Sequence, residues 1–299
     1  MNDQPHEAQA SRAWTYTSDQ FAGADGLLFT RRVCRPREGA RAVLAVVHGY
    51  GEHGGRYHDL AADLAVHGCS VYVYDLRGHG RSGGRRGHIR RFAEYLDDTA
   101  VYLDGVRREA EGRPVFLLGH SMGGLIAASY AEQRPVGDLA GLILSAPFLR
   151  FAMQVPALKV GAARVASVLA PSVNVGNTLD PAGLSHDEAV VAAYRTDPLN
   201  HRAATARWAA ELLSAQTAAL TAADRISPPL LVMAGEADPI ADPSGARELF
   251  EAAASPDKTY RGYPGYFHEI FNETGRDVPV ADLAAWVEQR LPAPAATGR

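Results

Sequence analysis

The chain has 299 residues, 46% of them hydrophobic and 21% charged, and its 30 basic and 34 acidic side chains leave a formal charge of −4. This apolar share excludes wholesale disorder, the acidic balance argues against nucleic acid as a partner, which needs clustered positive charge, and two cysteines, Cys34 and Cys69, are too few for a disulfide framework or a thiolate metal site. The aliphatic runs fall far short of the roughly 20 residues of a membrane span, and residues 1–14 carry Asp3, Glu7 and Arg12 without an apolar stretch, so a cytoplasmic protein without a secretory signal is expected.

Residues 14–33 hold Ala24, Asp25 and Gly26 between apolar stretches, the pattern of a hairpin. Short β-branched or aliphatic runs then alternate with helical patterns. Residues 42–47 read as a buried strand, 57–66 as a helix with Leu60 and Leu64 at i, i+4, and 70–74 as the next strand. Residues 92–110 place Tyr95, Leu96, Thr99, Leu103 and Val106 on one helical face. A strand at 114–118, a helix at 122–132 and a strand at 142–145 follow. The rhythm resumes with a strand at 229–234, a helix at 244–253, a strand at 259–263 and a helix at 280–291. Such alternation predicts an α/β protein with a mostly parallel central sheet flanked by helices on both faces.

Between residues 145 and 229 the strand rhythm stops. Pro156 and Pro171 bracket an apolar helical segment, Ser185-His186-Asp187-Glu188 has the form of a capping box, and 207–220 puts Trp208, Leu212 and Leu213 on one face. Residues 147–226 are therefore expected to be a helical cap inserted into a core made of 1–146 and 227–299. Phe148, Leu149, Phe151, Met153, Val155 and Leu158 open this insertion with an apolar stretch suited to line an entrance, to rest on a membrane or to pack the cap onto the core.

The pattern G-x-S-x-G occurs twice, at Gly119-His120-Ser121-Met122-Gly123 and at Gly80-Arg81-Ser82-Gly83-Gly84. Only Ser121 has an apolar strand before it and a helix after it, the context that presents a nucleophilic serine on a sharp turn. A serine hydroxyl needs a base. Among the histidines beyond Ser121, His186 and His201 fall in the expected cap, whereas His268 follows the last strand, at the carboxyl edge where open α/β sheets bind ligands. Asp238 directly follows the strand at 229–234 and is the best orienting acid, with Glu236 and Asp242 as rivals. Ser121 would attack an acyl carbonyl, His268 would take its proton, and Asp238 would hold the histidine. The backbone N–H groups of Tyr50, in the loop His48-Gly49-Tyr50-Gly51, and of Met122 are the expected oxyanion donors. Arg77, Arg81, Arg85, Arg86, Arg90 and Arg91 form a run read as a solvated loop partly paired with Glu94, Asp97 and Asp98, and the histidines give no metal-ligand motif.

Together these segments resemble the monoacylglycerol lipases. His48-Gly49-Tyr50-Gly51-Glu52-His53 with Arg56-Tyr57 is similar to their H-G-x-G-E-H-x-x-R-Y segment, Asp75-Leu76-Arg77-Gly78-His79-Gly80-Arg81-Ser82 to their D-x-R-G-H-G-x-S, and Gly119 to Gly124 to their serine turn. Tyr194-Arg195-Thr196-Asp197-Pro198, Asp238-Pro239-Ile240 and His268-Glu269-Ile270-Phe271-Asn272 extend the likeness over roughly 40–290. The resemblance implies the α/β-hydrolase fold with a helical cap, no cofactor or metal, and hydrolysis of lipid-like glycerol monoesters. It also implies that Glu52 and Arg56 border the glycerol-facing pocket, against the alternative of a plain i, i+4 ion pair. A broad carboxylesterase or lysophospholipase, and a catalytically silent binding protein, are the other readings of the same residues.

Overall fold

The apolar runs at the centre of the sequence form strands that are buried along their whole length, because helices cover both sides of them. The computed structural model describes residues 13–153, 156–176 and 179–292; the polar start of the chain and Val155 lie outside them. The strands are β1 (Trp14–Ala22), β2 (Leu28–Pro36), β3 (Ala42–Val47), β4 (Cys69–Tyr74), β5 (Val115–His120), β6 (Gly141–Ser145), β7 (Leu230–Gly235) and β8 (Lys258–Tyr263). They make one sheet in the order β1-β2-β4-β3-β5-β6-β7-β8. β1 pairs with β2, and β2 with β4, in antiparallel fashion; every pair from β4 to β8 is parallel.

The helices are α1 (His58–Val66), α2 (Ala93–Ala110), α3 (Met122–Gln133), α4 (Ala157–Leu169), α5 (Glu188–Thr196), α6 (Ala206–Thr221), α7 (Pro243–Ala252) and α8 (Asp277–Glu288). Alternate strand residues face two different cores. Val43, Ala45, Val47, Leu117 and Val232 point to the side carrying α2, α3, α6 and α7, and Leu44, Val46, Phe116, Leu118 and Met233 to the side carrying α1 and α8. The period-2 alternation of strand side chains therefore serves both layers at once.

Two local expectations are corrected. The helix after the 185–188 segment is capped by Asp187, whose carboxylate accepts from the Ala189 N–H at 2.9 Å, and not by Ser185. Ser185 instead donates to the Asn272 carbonyl at 2.8 Å and accepts from the Asp187 N–H. The last helix starts at Asp277 rather than 280, because Pro279 falls within its first turn, where the missing N–H costs nothing.

Strand order places the site. β3 connects through α1 to β4 on one side, and the chain then returns through α2 to β5 on the other side of β3. The loops leaving β3 and β5 thus diverge at their carboxyl ends and open a crevice at a topological switch point. Val47 is level with Gly119 across that boundary, so His48–Gly51 and His120–Ser121 face each other. The segment between β6 and β7 carries α4, α5 and α6 and, among its described residues, adds no strand to the sheet. α6 packs on α3 and places Trp208, Leu212, Ala215 and Ala219 in the core beside Leu125 and Ile126, while α4 rests on α6.

Candidate active site

Ser121 stands between β5 and α3 at φ 54°, ψ −118°, a strained conformation for a residue with a Cβ. Three backbone hydrogen bonds hold it there: its N–H donates to the Ser145 carbonyl at 2.9 Å, and its carbonyl accepts from Phe148 at 2.9 Å and from Leu125 at 3.1 Å. The flanking glycines supply space. A Cβ on Gly119 would lie 2.2 Å from the Gly123 carbonyl oxygen, and one on Gly123 would lie 2.0 Å from that of Val47. Only glycine lets α3 start so close to the ends of β3 and β5. Met122 is the first residue of α3, so helix geometry leaves its N–H without an intrahelical acceptor. Tyr50 lies opposite, next to Gly49, where a Cβ would fall 3.2 Å from that of Ser121. The Gly49 N–H is already used, donating to Glu52 Oε1 at 2.5 Å.

His268 and Asp238 reach the same place from β8 and β7. His268 Nδ1 meets Asp238 Oδ2 at 2.7 Å, with both side chains buried. The other oxygen of Asp238 accepts from the N–H groups of Ile240 at 2.8 Å and Ala241 at 3.0 Å, which fixes the carboxylate plane. The Phe267 carbonyl passes directly over β7, 2.2 Å from where a Cβ on Gly235 would sit, so the loop bearing His268 lies against the loop bearing Asp238. Burial lowers the affinity of His268 for a proton, but the Asp238 carboxylate outweighs it and raises the pKa above the ordinary histidine value. Ser121 and His268 line one cavity of about 90 Å³, together with Tyr50 and Met122. The rival acid Asp242 is spent as the N-cap of α7, accepting from Ser244 N–H at 2.8 Å. His186 is engaged by Glu273 at 2.9 Å, and His201 lies against Tyr50 and His79.

The comparisons agree with this architecture. A family model described as serine aminopeptidase, S33, matches residues 38–275. A monoacylglycerol lipase of Mycolicibacterium smegmatis is 36% identical over 93% of this chain and 99% of its own length. The phospholipase YtpA of Bacillus subtilis is 36% identical over 84% of this chain and 96% of its own. The crystal structure of Paleococcus ferrophilus monoacylglycerol lipase superposes with a TM-score of 0.77 at 32% identity, covering 92% of this chain and 99% of that one. The chain belongs to the monoacylglycerol lipase-like serine hydrolases, and its fold is the α/β-hydrolase fold.

Within that family frame, Glu52 and Arg56 form the i, i+4 pair of the alternative reading, at 2.7 Å, and they also line the cavity. Sequence reasoning missed their third member. Arg56 makes two further bonds to Glu269, at 2.5 and 2.7 Å, and its guanidinium lies 4.9 Å from the centre of the Tyr194 ring. Tyr57 donates to Glu52 at 2.9 Å and Asn272 to Glu269 at 2.9 Å. One cation thus holds two buried carboxylates. Burial pushes the Glu52 carboxyl up, but Arg56, with His120 and His48, overrides it and keeps the group ionised well below the usual range. The available signal for Glu269 was its place directly after His268. His120, beside this cluster, is driven down to about 4 by burial and by the neighbouring His268, so it stays neutral there. The cavity lining therefore combines a charged, hydrogen-bonding group, Glu52, Arg56 and Glu269, with an apolar group, Phe148, Phe151, Leu212 and Ile240, alongside Ser121 and His268.

Ser82, in the second G-x-S-x-G, is a buried strut: it donates to the Asp75 carbonyl at 2.6 Å and accepts from Thr30 N–H at 2.9 Å. The arginine run is largely paired, Arg77 with Asp98 and Asp25, Arg90 with Glu94, and Arg91 with Asp97.

Proposed function

We propose that this protein hydrolyses monoacylglycerols to fatty acid and glycerol through an acyl-enzyme on Ser121. The observation that carries this reading is the Asp238–His268 couple, whose histidine shares one amphipathic cavity with the strained Ser121. His268 removes the serine proton as the hydroxyl attacks the ester carbonyl, and the N–H groups of Tyr50 and Met122 receive the oxyanion. The same imidazole then protonates the leaving glycerol, and attack by water reverses the sequence. Raising the proton affinity of His268, as Asp238 does, makes it a stronger base. Glu52 and Arg56 receive the hydroxyl groups of glycerol, and the apolar group takes the acyl chain, which gains about 0.8 kcal/mol per buried methylene. Residues 147–226 act as the cap: α6 anchors it to the core and lines the cavity with Trp208 and Leu212, α5 adds Tyr194, and α4 rests on α6. The exposed Val165, Val168 and Leu169 on α4 support a peripheral contact with a lipid surface. No helix among the described residues is long and apolar enough to cross a membrane. The free, buried Cys34 and Cys69 suit a reducing compartment such as the cytoplasm.

The likeness to a phospholipase favours one second reading, a lysophospholipase on the same triad. A panel of glycerol mono-, di- and triesters, lysophospholipids and simple esters, run against Ser121→Ala as blank, separates them. Preference for glycerol monoesters is expected. Faster turnover of lysophospholipids would replace the reading, and absence of all esterase activity with no fluorophosphonate labelling of Ser121 would leave a binding protein.

A further inference from the structure

We propose that the Phe151 side chain is a partition that limits acyl-chain length, and that the groove behind it is the subsite for the far end of a long acyl chain. The proposal rests on the ester-hydrolase reading above and adds to it which side chain sets the substrate.

Phe151 lines two spaces at once, the catalytic cavity and an open groove of about 670 Å³ between the 149–153 segment, α6 and α7. The two spaces share a second wall on α6, where Leu212 faces the cavity and the adjacent Leu213 faces the groove. Inside, the Phe151 ring meets Phe148 edge to face, with centroids 4.7 Å apart and planes at 73°. The backbone beneath it is fixed independently of the ring. Phe151 bridges to Ala241, Ala152 N–H donates to the Ile240 carbonyl at 3.1 Å, and Asp242 N–H donates to the Arg150 carbonyl at 3.1 Å. Phe151 is 37% exposed, so trimming its side chain opens a passage without emptying a closed core.

The groove's chemistry points to a hydrocarbon tail. Its charged groups are engaged with protein: Arg150 pairs with Glu248, and Asp242 caps α7. Gln216 likewise donates to the Phe148 carbonyl at 3.0 Å. Thr217 and Thr221 turn their hydroxyls to the Leu213 and Thr217 carbonyls within α6; the other lining side chains are Leu149, Met153, Leu213 and Leu220, with Phe151 shared between this groove and the cavity. A free fatty acid or a phosphate headgroup would call on a cation there, and Arg150 is taken. The distal methylenes of the bound ester ask only for apolar surface.

The test compares wild type, Phe151→Ala, Phe151→Trp and the double variant Phe151→Ala/Leu213→Arg on p-nitrophenyl esters from four to eighteen carbons, in preparations matched by fluorophosphonate labelling. Burial of a methylene is worth about fourfold, so Phe151→Ala is expected to raise the ratio of kcat/KM on the sixteen-carbon ester to that on the four-carbon ester by at least about tenfold. Phe151→Trp is expected to lower the ratio, and Leu213→Arg to cancel the gain. A ratio that stays constant, or a gain that survives Leu213→Arg, overturns the subsite. A wild-type preparation that takes up the fluorophosphonate in a test aliquot but, unlabelled, cleaves none of the esters would overturn the ester-hydrolase reading instead, so the two failures are distinguishable.

Discussion

The two G-x-S-x-G segments use the same letters to opposite ends. At Gly80 and Gly84 the glycines themselves adopt positive φ, 50° and 97°, and the serine between them relaxes into a pair of buried hydrogen bonds. At Gly119 and Gly123 the glycines make room where a Cβ would strike backbone oxygens, and the serine carries the positive φ. In the first loop glycine absorbs strain so that serine can brace the chain. In the second, glycine provides clearance so that strain is concentrated on the serine and its hydroxyl is held in the crevice. A pattern of residues acquires a role only from the strand and helix around it.

Substitutions break this contrast in decreasing order of effect. Ser121→Ala is expected to lower kcat on a monoacylglycerol at least about 10⁴-fold while leaving the melting temperature unchanged or higher, because it removes the proposed nucleophile and none of the backbone bonds that brace the turn. A loss of under tenfold would sever Ser121 from the chemistry. Asp238→Asn is expected to lower kcat/KM by about 10³–10⁴-fold. It also moves the acidic limb of the pH–rate profile downward: the carboxylate raises the His268 pKa, so without it the base becomes neutral at lower pH. An unmoved limb would mean that another group titrates there. Ser82→Ala is expected to do the reverse of Ser121→Ala, costing about 2 kcal/mol in urea unfolding while keeping kcat/KM per labelled site within about twofold. Equal damage to activity would erase the distinction between the two loops.

The smallest expected effect concerns the far end of α3. Glu132 is buried, and neither of its oxygens has a hydrogen-bond partner among the described residues; Ser129, one turn earlier, is in the same position. Burial pushes the Glu132 carboxyl up to about 8. The unfolded chain ionises this group near 4.5, so the folded state holds the extra proton between those two values. The associated stability is complete below about 4.5 and is lost as pH climbs through about 8. Glu132→Gln is expected to flatten this loss, gaining on the wild type at pH 8.5 relative to pH 5, read by urea unfolding at both.

Much of the site is legible in the sequence because each piece has local context. Ser121 follows a run of Val, Phe and Leu and precedes a helix, and Asp238 and His268 follow the last two strands in chain order. The strands from β3 onward are legible for the same reason, as apolar runs bounded by turns. Glu269 is not legible: its value lies in reaching Arg56 across the crevice, which depends on how β8 and the loop after β3 fold toward each other. Glu132 is hidden by the opposite error, since a glutamate on a helix reads as solvent-facing, whereas α3 is buried from Met122 to Glu132 between the sheet and α6. The cap on α5 shows how close two readings can be, with Asp187 taking the place that the spacing of Ser185 and Glu188 predicts for serine.

The three backbone bonds that clamp Ser121 tie it to β6, to the start of the following segment and to its own helix. Reactivity is thereby made a collective property of the sheet: fraying of an outer helix leaves the hydroxyl where it is, whereas separation of β5 from β6 releases it at once. Heat inactivation should accordingly be abrupt, coinciding with cooperative melting of the whole domain.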